Sequence, residues 1–161
     1  MTLHYFSPKE FCSSYIAEMN GIKNTLPNKY ISNASLTLMF LDVVRYCIGE
    51  PIYINSGYRS VALNRKIGGA RNSYHILGLA ADIRGAIDCK QIRDFIESHT
   101  LDGVPIRSLL KEYICYPTFV HIAVDSEKVN YIYRLHEYCF DDSLLFNAKR
   151  SFSSTPSGGE A

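Results

Sequence analysis

The segment Ser73-Tyr74-His75-Ile76-Leu77-Gly78-Leu79-Ala80-Ala81-Asp82 constrains this chain most, because it sets two metal-capable side chains close together with a glycine between them. Gly78 permits a turn that other residues resist. A loop ending at His75 and a strand ending at Asp82 can therefore fold back until both side chains meet one point. A third donor, His121, follows 39 residues after Asp82 in Phe119-Val120-His121-Ile122, on what reads as the neighbouring strand. Taken singly, each has a plainer reading: His75 caps a turn, Asp82 ends a strand, His121 lies on a hairpin face. Together they make the donor set that zinc takes in catalytic sites, three protein ligands from imidazole nitrogen and carboxylate oxygen with one position left for water.

The rest of the chain reads as one domain over residues 1–140, with a tail over 141–161. Ser7-Pro8-Lys9-Glu10 is a helix start, and Phe11, Tyr15, Ile16 and Met19 are expected to form its buried face. Residues 21–33 suit a loop that ends with Asn33 as the cap of a second helix. In that helix Leu36, Leu38, Met39, Leu41, Val43, Val44 and Tyr46 are apolar on more than one side, which predicts a central position. Ile52-Tyr53-Ile54 reads as a strand leading into the turn Asn55-Ser56-Gly57-Tyr58-Arg59-Ser60, followed by a short helix over 61–66 and a loop over 67–73. A buried strand is expected over 79–83, a helix over 89–98, and an antiparallel hairpin from runs 112–116 and 119–124 around Pro117-Thr118. A further run, 129–135, reads as a strand that extends the sheet, and residues 151–161, rich in Ser and Gly, read as disordered. Helices early and strands late predict an α+β domain.

Composition narrows the partners. Lys and Arg total 17 against 16 Asp and Glu, so no field of one sign gathers nucleic acid or coats an anionic membrane. The 12 Tyr and 8 Phe are then core and rim aromatics, not a base-stacking platform. Five scattered cysteines without a CxxC pair suit buried thiols formed in a reducing cytoplasm. The N-terminus lacks the basic start and apolar run of a secretory signal, and no run approaches the length of a membrane span. Synthesis in the cytoplasm, with a monomer presumed, is the expectation.

Ser73-x-His75-x-x-Gly78-x-Ala80-x-Asp82 resembles the SxHxxGxAxD signature of the zinc D-Ala-D-Ala peptidases, which belong with the lysostaphin and hedgehog-like metal folds. Ser56-Gly57-Tyr58-Arg59-Ser60, Leu63-Asn64, Gly68-Gly69 and Tyr116-Pro117-Thr118-Phe119-Val120-His121 are similar to segments of a short, phage-associated branch of that family. The resemblance spans roughly residues 5–124. It implies N-terminal helices on a small antiparallel sheet, one zinc on His75, Asp82 and His121, and hydrolysis beside D-amino acids in peptidoglycan stem peptides. Action on the bacterial cell wall, from the host cytoplasm or the virion of a phage, follows from it.

Arg59 is the candidate for holding a substrate carboxylate or a developing oxyanion, since its fork suits bidentate contact. Ser73 and Tyr116 are candidates for substrate contact, and Tyr58 and Tyr74 could also donate a hydrogen bond. Many relatives carry Glu or His shortly before the last ligand, where this chain has Thr118, and Asp two residues after it, where this chain has Ala123. Glu112 is the candidate proton carrier, on one face with Ile114 and Tyr116, and Asp125 ranks behind it. His4, His99 and His136 are read as surface or locally satisfied residues. Thr118 and Ala123 also favour an alternative, a zinc-stabilised peptidoglycan-binding module without turnover, and a third reading is a scaffold or virion component stabilised by metal.

Overall fold

The apolar run around Leu38 lies in a long helix, Ile31–Ile48, the third of the chain and labelled α3 below, which Gly49 closes in the left-handed region. Leu36, Leu38, Met39, Leu41, Val43 and Val44 are buried, as are Thr37 and Asp42. Removing such an aliphatic side chain from water contributes about 1.5–3 kcal/mol, so a helix that is apolar on most sides settles in the centre. The stretch Asn28–Ile48 is long and apolar enough to cross a bilayer by length and composition alone, and here it forms the core.

The computed structural model describes residues 2–86 and 88–141, so the expected tail beyond residue 141 lies outside the described residues. At the N-terminus, Ser7 caps α1, Pro8–Phe11, as its pattern predicts, the hydroxyl accepting from Glu10 N at 3.1 Å. The helix then stops, because Ser14 caps a separate short helix, α2, Tyr15–Met19. That break divides the expected face: Phe11 is fully buried, whereas Tyr15, Ile16 and Met19 are exposed and α2 buries Ala17. Asn33 is not a helix cap either. Pro27 precedes a 3-10 turn, Asn28–Tyr30, that runs directly into α3.

After α3 come β1, Ile52–Ser56, the short helix α4, Val61–Lys66, and β2, Ala80–Gly85, which carries Asp82 within it, not at its end. Helix α5, Lys90–Ser98, buries Ile92, Phe95 and Ile96. A small ribbon follows, β3, Thr100–Leu101, paired with β4, Val104–Pro105, which no pattern in the sequence announced. The expected hairpin is β5, Leu110–Cys115, with β6, Val120–Val124. The main sheet has the order β1-β2-β6-β5, each pair antiparallel. Ala81, Ile83, Val120, Ile122 and Val124 lie in the core on the face toward α3 and α5. By alternation, Ala80, Asp82, His121 and Ala123 take the opposite face.

Residues 129–135 do not extend the sheet. They open α6, Val129–Phe140, which buries Ile132, Leu135, His136 and Cys139 at helical spacing and packs on α3. The β-prone Val129, Tyr131, Ile132 and Tyr133 yield to that packing, since strand preference depends on context. The architecture is α+β, with helices covering one face of a small antiparallel sheet.

Candidate metal centre

The pairing of β2 with β6 sets Asp82 opposite His121. An irregularity between Ile54 and Ser56 in β1 brings Ser56 opposite Asp82 on the other side. His75 comes from a 3-10 turn, Tyr74–Leu77, in which Ser73 Oγ accepts from His75 N at 3.3 Å. Gly78 ends the turn at φ 72°, a left-handed conformation that strains other residues. Helix α3 supports the turn: Asn33 Nδ2 donates to Leu77 O and Thr37 Oγ1 donates to Gly78 O, each at 2.9 Å. The loop that carries His75 is thus fastened to the long helix that fills the core.

His121 Nδ1 stands 2.8 Å from Asp82 Oδ1, and His75 Nε2 stands 3.4 Å from the same oxygen. One donor atom from each residue lies within 4.8 Å of the other two. His75 Nδ1 is 2.7 Å from Gly57 O. A carbonyl only accepts, so Nδ1 carries the hydrogen and Nε2 turns its lone pair toward the cluster. Gly57 can do this only because it lacks a side chain: a Cβ there would stand 2.3 Å from Phe11 O. The surrounding turn is tied down by Tyr58 N to Phe11 O at 2.8 Å and Arg59 N to His75 O at 3.1 Å. Asn24 adds two bonds, donating to Tyr58 O and accepting from Ser60 N.

Arg59 reaches into the centre from this turn. Its Nη2 lies 2.5 Å from Asp82 Oδ2 and its Nε donates to Ser56 Oγ at 2.7 Å. Burial alone would raise the Asp82 carboxyl, but the hydrogen bond with His121 and the charge of Arg59 hold it well below the usual carboxylate range. Burial pushes the Arg59 guanidinium down from its ordinary value against the pull of Asp82. For His121, burial lowers and its two carboxylate partners, Asp82 and Glu112, raise; the carboxylates prevail. An ionised carboxylate beside imidazoles is the form in which these groups bind a cation.

Glu112 does come to this face, as strand alternation predicts, with Oε2 3.1 Å from His121 Nε2. Asp125 does not: β6 ends at Val124, and the Asp125 carboxylate caps the next turn by accepting from Glu127 N at 3.1 Å. Tyr116 is exposed and stacks on Phe119 with ring centroids 4.3 Å apart. Tyr58 is buried in the core and Tyr74 packs against it. His136 is buried on Asp42, a locally satisfied residue as expected. Sequence reasoning missed the backbone carbonyl of Gly57 and the roles of Asn24, Asn33 and Thr37. The first has no side chain to give it away, and the others are common loop or helix residues whose partners lie 34–44 positions distant.

Two imidazoles and a carboxylate, one imidazole fixed in its tautomer, meeting where the turn of His75 lies against β2 and β6, form a candidate divalent-metal centre of the kind zinc hydrolases use. Residues 4–123, about three quarters of the chain, match the model of the peptidase M15 family, and the chain belongs to that family. Over 53 residues it is 45% identical to the zinc D-Ala-D-Ala carboxypeptidase of Streptomyces albus G. That stretch is 32% of this chain and 21% of the relative, so the match spans about a fifth of the relative's length. No solved structure matches.

Proposed function

We propose that this protein is a zinc metallopeptidase that hydrolyses peptide bonds next to D-amino acids in bacterial peptidoglycan, as a carboxypeptidase or an endopeptidase. The observation that carries the reading is the convergence of His75 Nε2, Asp82 Oδ1 and His121 Nδ1. Family membership and the likeness to a zinc D-Ala-D-Ala carboxypeptidase support it. In this reading His75, Asp82 and His121 hold the zinc, which supplies a Lewis acid that activates water and polarises the scissile carbonyl.

The chain's own residues do the remaining work. Arg59 lends Nη2 and Nε to Asp82 and Ser56, and its Nη1, which donates to no described residue, is the group offered to a substrate carboxylate or to the developing oxyanion. Ser73, which caps the turn of His75, and Tyr116 are the proposed substrate contacts. Glu112 enters the machinery through His121, the residue its carboxylate touches. Stem peptides are the partner, and the segments similar to the phage-associated branch support a role in lysis or wall penetration, from the host cytoplasm or the virion.

The test is digestion of D-Ala-ended muropeptides by the purified full chain, with and without chelator. Zinc-dependent product is expected, with loss of zinc uptake in His75→Ala and His121→Ala. Stoichiometric zinc in either variant would overturn the ligand assignment. Muropeptide binding without cleavage would favour the module without turnover, the reading to which Thr118 lends weight.

A further inference from the structure

We infer that Glu112 is a positioning residue for the metal centre: its carboxylate holds His121 by Nε2, so that this imidazole ligates through Nδ1. The inference rests on the proposed zinc site. Each imidazole of the cluster shows the same division of labour. His75 turns Nε2 inward and gives Nδ1 to the carbonyl of Gly57. His121 turns Nδ1 inward, 2.8 Å from Asp82 Oδ1, and gives Nε2 to Glu112 Oε2 at 3.1 Å. An acceptor on the outer nitrogen selects the tautomer, fixes the ring and makes the inner nitrogen a stronger donor. Gly57 does this for one ligand and Glu112 does it for the other.

The placement of Glu112 follows from the sheet. It pairs across β5 and β6 with Ala123, which shares a face with His121 but has no acceptor to offer. The register shift between Leu110 and Glu112 sets that alignment, so the carboxylate is delivered from the neighbouring strand. The same geometry separates Glu112 from proton transfer. The ring nitrogens of an imidazole lie on different edges, and a carboxylate bonded to Nε2 stands on the edge away from the point where the three donors meet. Its side chain is 46% exposed, so it contributes little to folding and truncation leaves no cavity.

The test uses the full chain, stripped by chelator and reloaded, with the zinc dissociation constant read by competition against a chromophoric chelator. Glu112→Ala should weaken zinc by about 10–100-fold while leaving the melting temperature of the stripped protein unchanged. Glu112→Gln, whose amide oxygen still accepts from Nε2, should keep most of the affinity. Wild-type affinity in Glu112→Ala would overturn the inference, and if turnover alone collapsed, Glu112 would be the proton carrier. A wild-type protein that takes up no zinc would instead sink the metal reading itself.

Discussion

Asp42 and Asp82 both meet histidines away from bulk water, yet the fold handles them in opposite ways. Asp42, fully buried in α3, accepts from His4 N at 2.8 Å, Tyr5 N at 2.9 Å and His136 Nε2 at 3.2 Å. Its partners are ordinary donors that leave neither oxygen free, and the His4 ring is stacked on Phe140 over the cluster at 3.9 Å. Asp82 is partly accessible and shares one oxygen between two imidazole nitrogens while Arg59 takes the other. Both His75 and His121 satisfy their outer nitrogens elsewhere, so their inner ones are gathered without being needed by the fold. A buried Asp–His contact becomes a clasp when the histidine is the last donor in a closed set. It becomes a site when the histidines have other means of support.

The same isosteric change at the two positions gives the largest contrast. Asp42→Asn places an amine against at least one backbone N–H in a site closed to water, and an unsatisfied buried donor of this kind costs about 1–3 kcal/mol, more where a charged group is involved. Urea unfolding should therefore show a loss of roughly 3 kcal/mol. Asp82→Asn can turn its oxygen to Arg59 and its amine to the lone pair on His75 Nε2, so unfolding should move by less than about 1 kcal/mol. Zinc uptake should be lost there, because the anionic donor has gone. Equal destabilisation at the two sites would break the comparison.

The sequence made the Asp82 side of this comparison visible and hid the Asp42 side. His75, Gly78 and Asp82 are near neighbours in sequence, and the pairing of β2, β6 and β5 then puts Asp82, His121 and Glu112 on one face. Asp42 and His136 are 94 residues apart, and their contact exists only because residues 129–135 form a helix against α3. That segment alternates β-prone residues, whereas the helical spacing of Ile132, Leu135, His136 and Cys139 shows only in the longer window. The break after α1 was legible in principle, since Ser14 is as good a cap as Ser7, but Tyr15, Ile16 and Met19 mimic a continued apolar face. The orienting carbonyl of Gly57 belongs to the backbone, which residue types do not report.

Gly57 sharpens the comparison from its other end, because here a main-chain group does for a ligand what main-chain amides do for Asp42. In Gly57→Ala the new Cβ would meet Phe11 O at 2.3 Å and Phe11 Cδ2 at 2.4 Å, so the turn must shift and take its carbonyl off His75 Nδ1. Zinc affinity should fall by about 10–100-fold, the cost of losing such an orienting contact. Overpacking against Phe11 adds about 1–3 kcal/mol of destabilisation. Unchanged affinity in a destabilised Gly57→Ala protein would show that His75 needs no outer partner, and the distinction between clasp and site would lose its physical basis.

The smallest effect is expected at Ser73. Its hydroxyl accepts from His75 N at 3.3 Å at the start of a single 3-10 turn, which Asn33, Thr37 and Gly78 also hold. Loss of a capping hydroxyl typically costs about 1 kcal/mol, and these other supports should keep Ser73→Ala at or below that value. Because His75 retains Gly57 and the turn retains α3, zinc affinity should change by no more than about threefold. The proposed substrate contact makes a separate demand: KM for a D-Ala-ended peptide should rise by about threefold to tenfold, the worth of one hydrogen bond. If zinc affinity and KM worsen together, Ser73 acts on substrate only by holding His75. If KM rises alone, the hydroxyl faces both ways, capping the turn and meeting the substrate, as no donor around Asp42 can do.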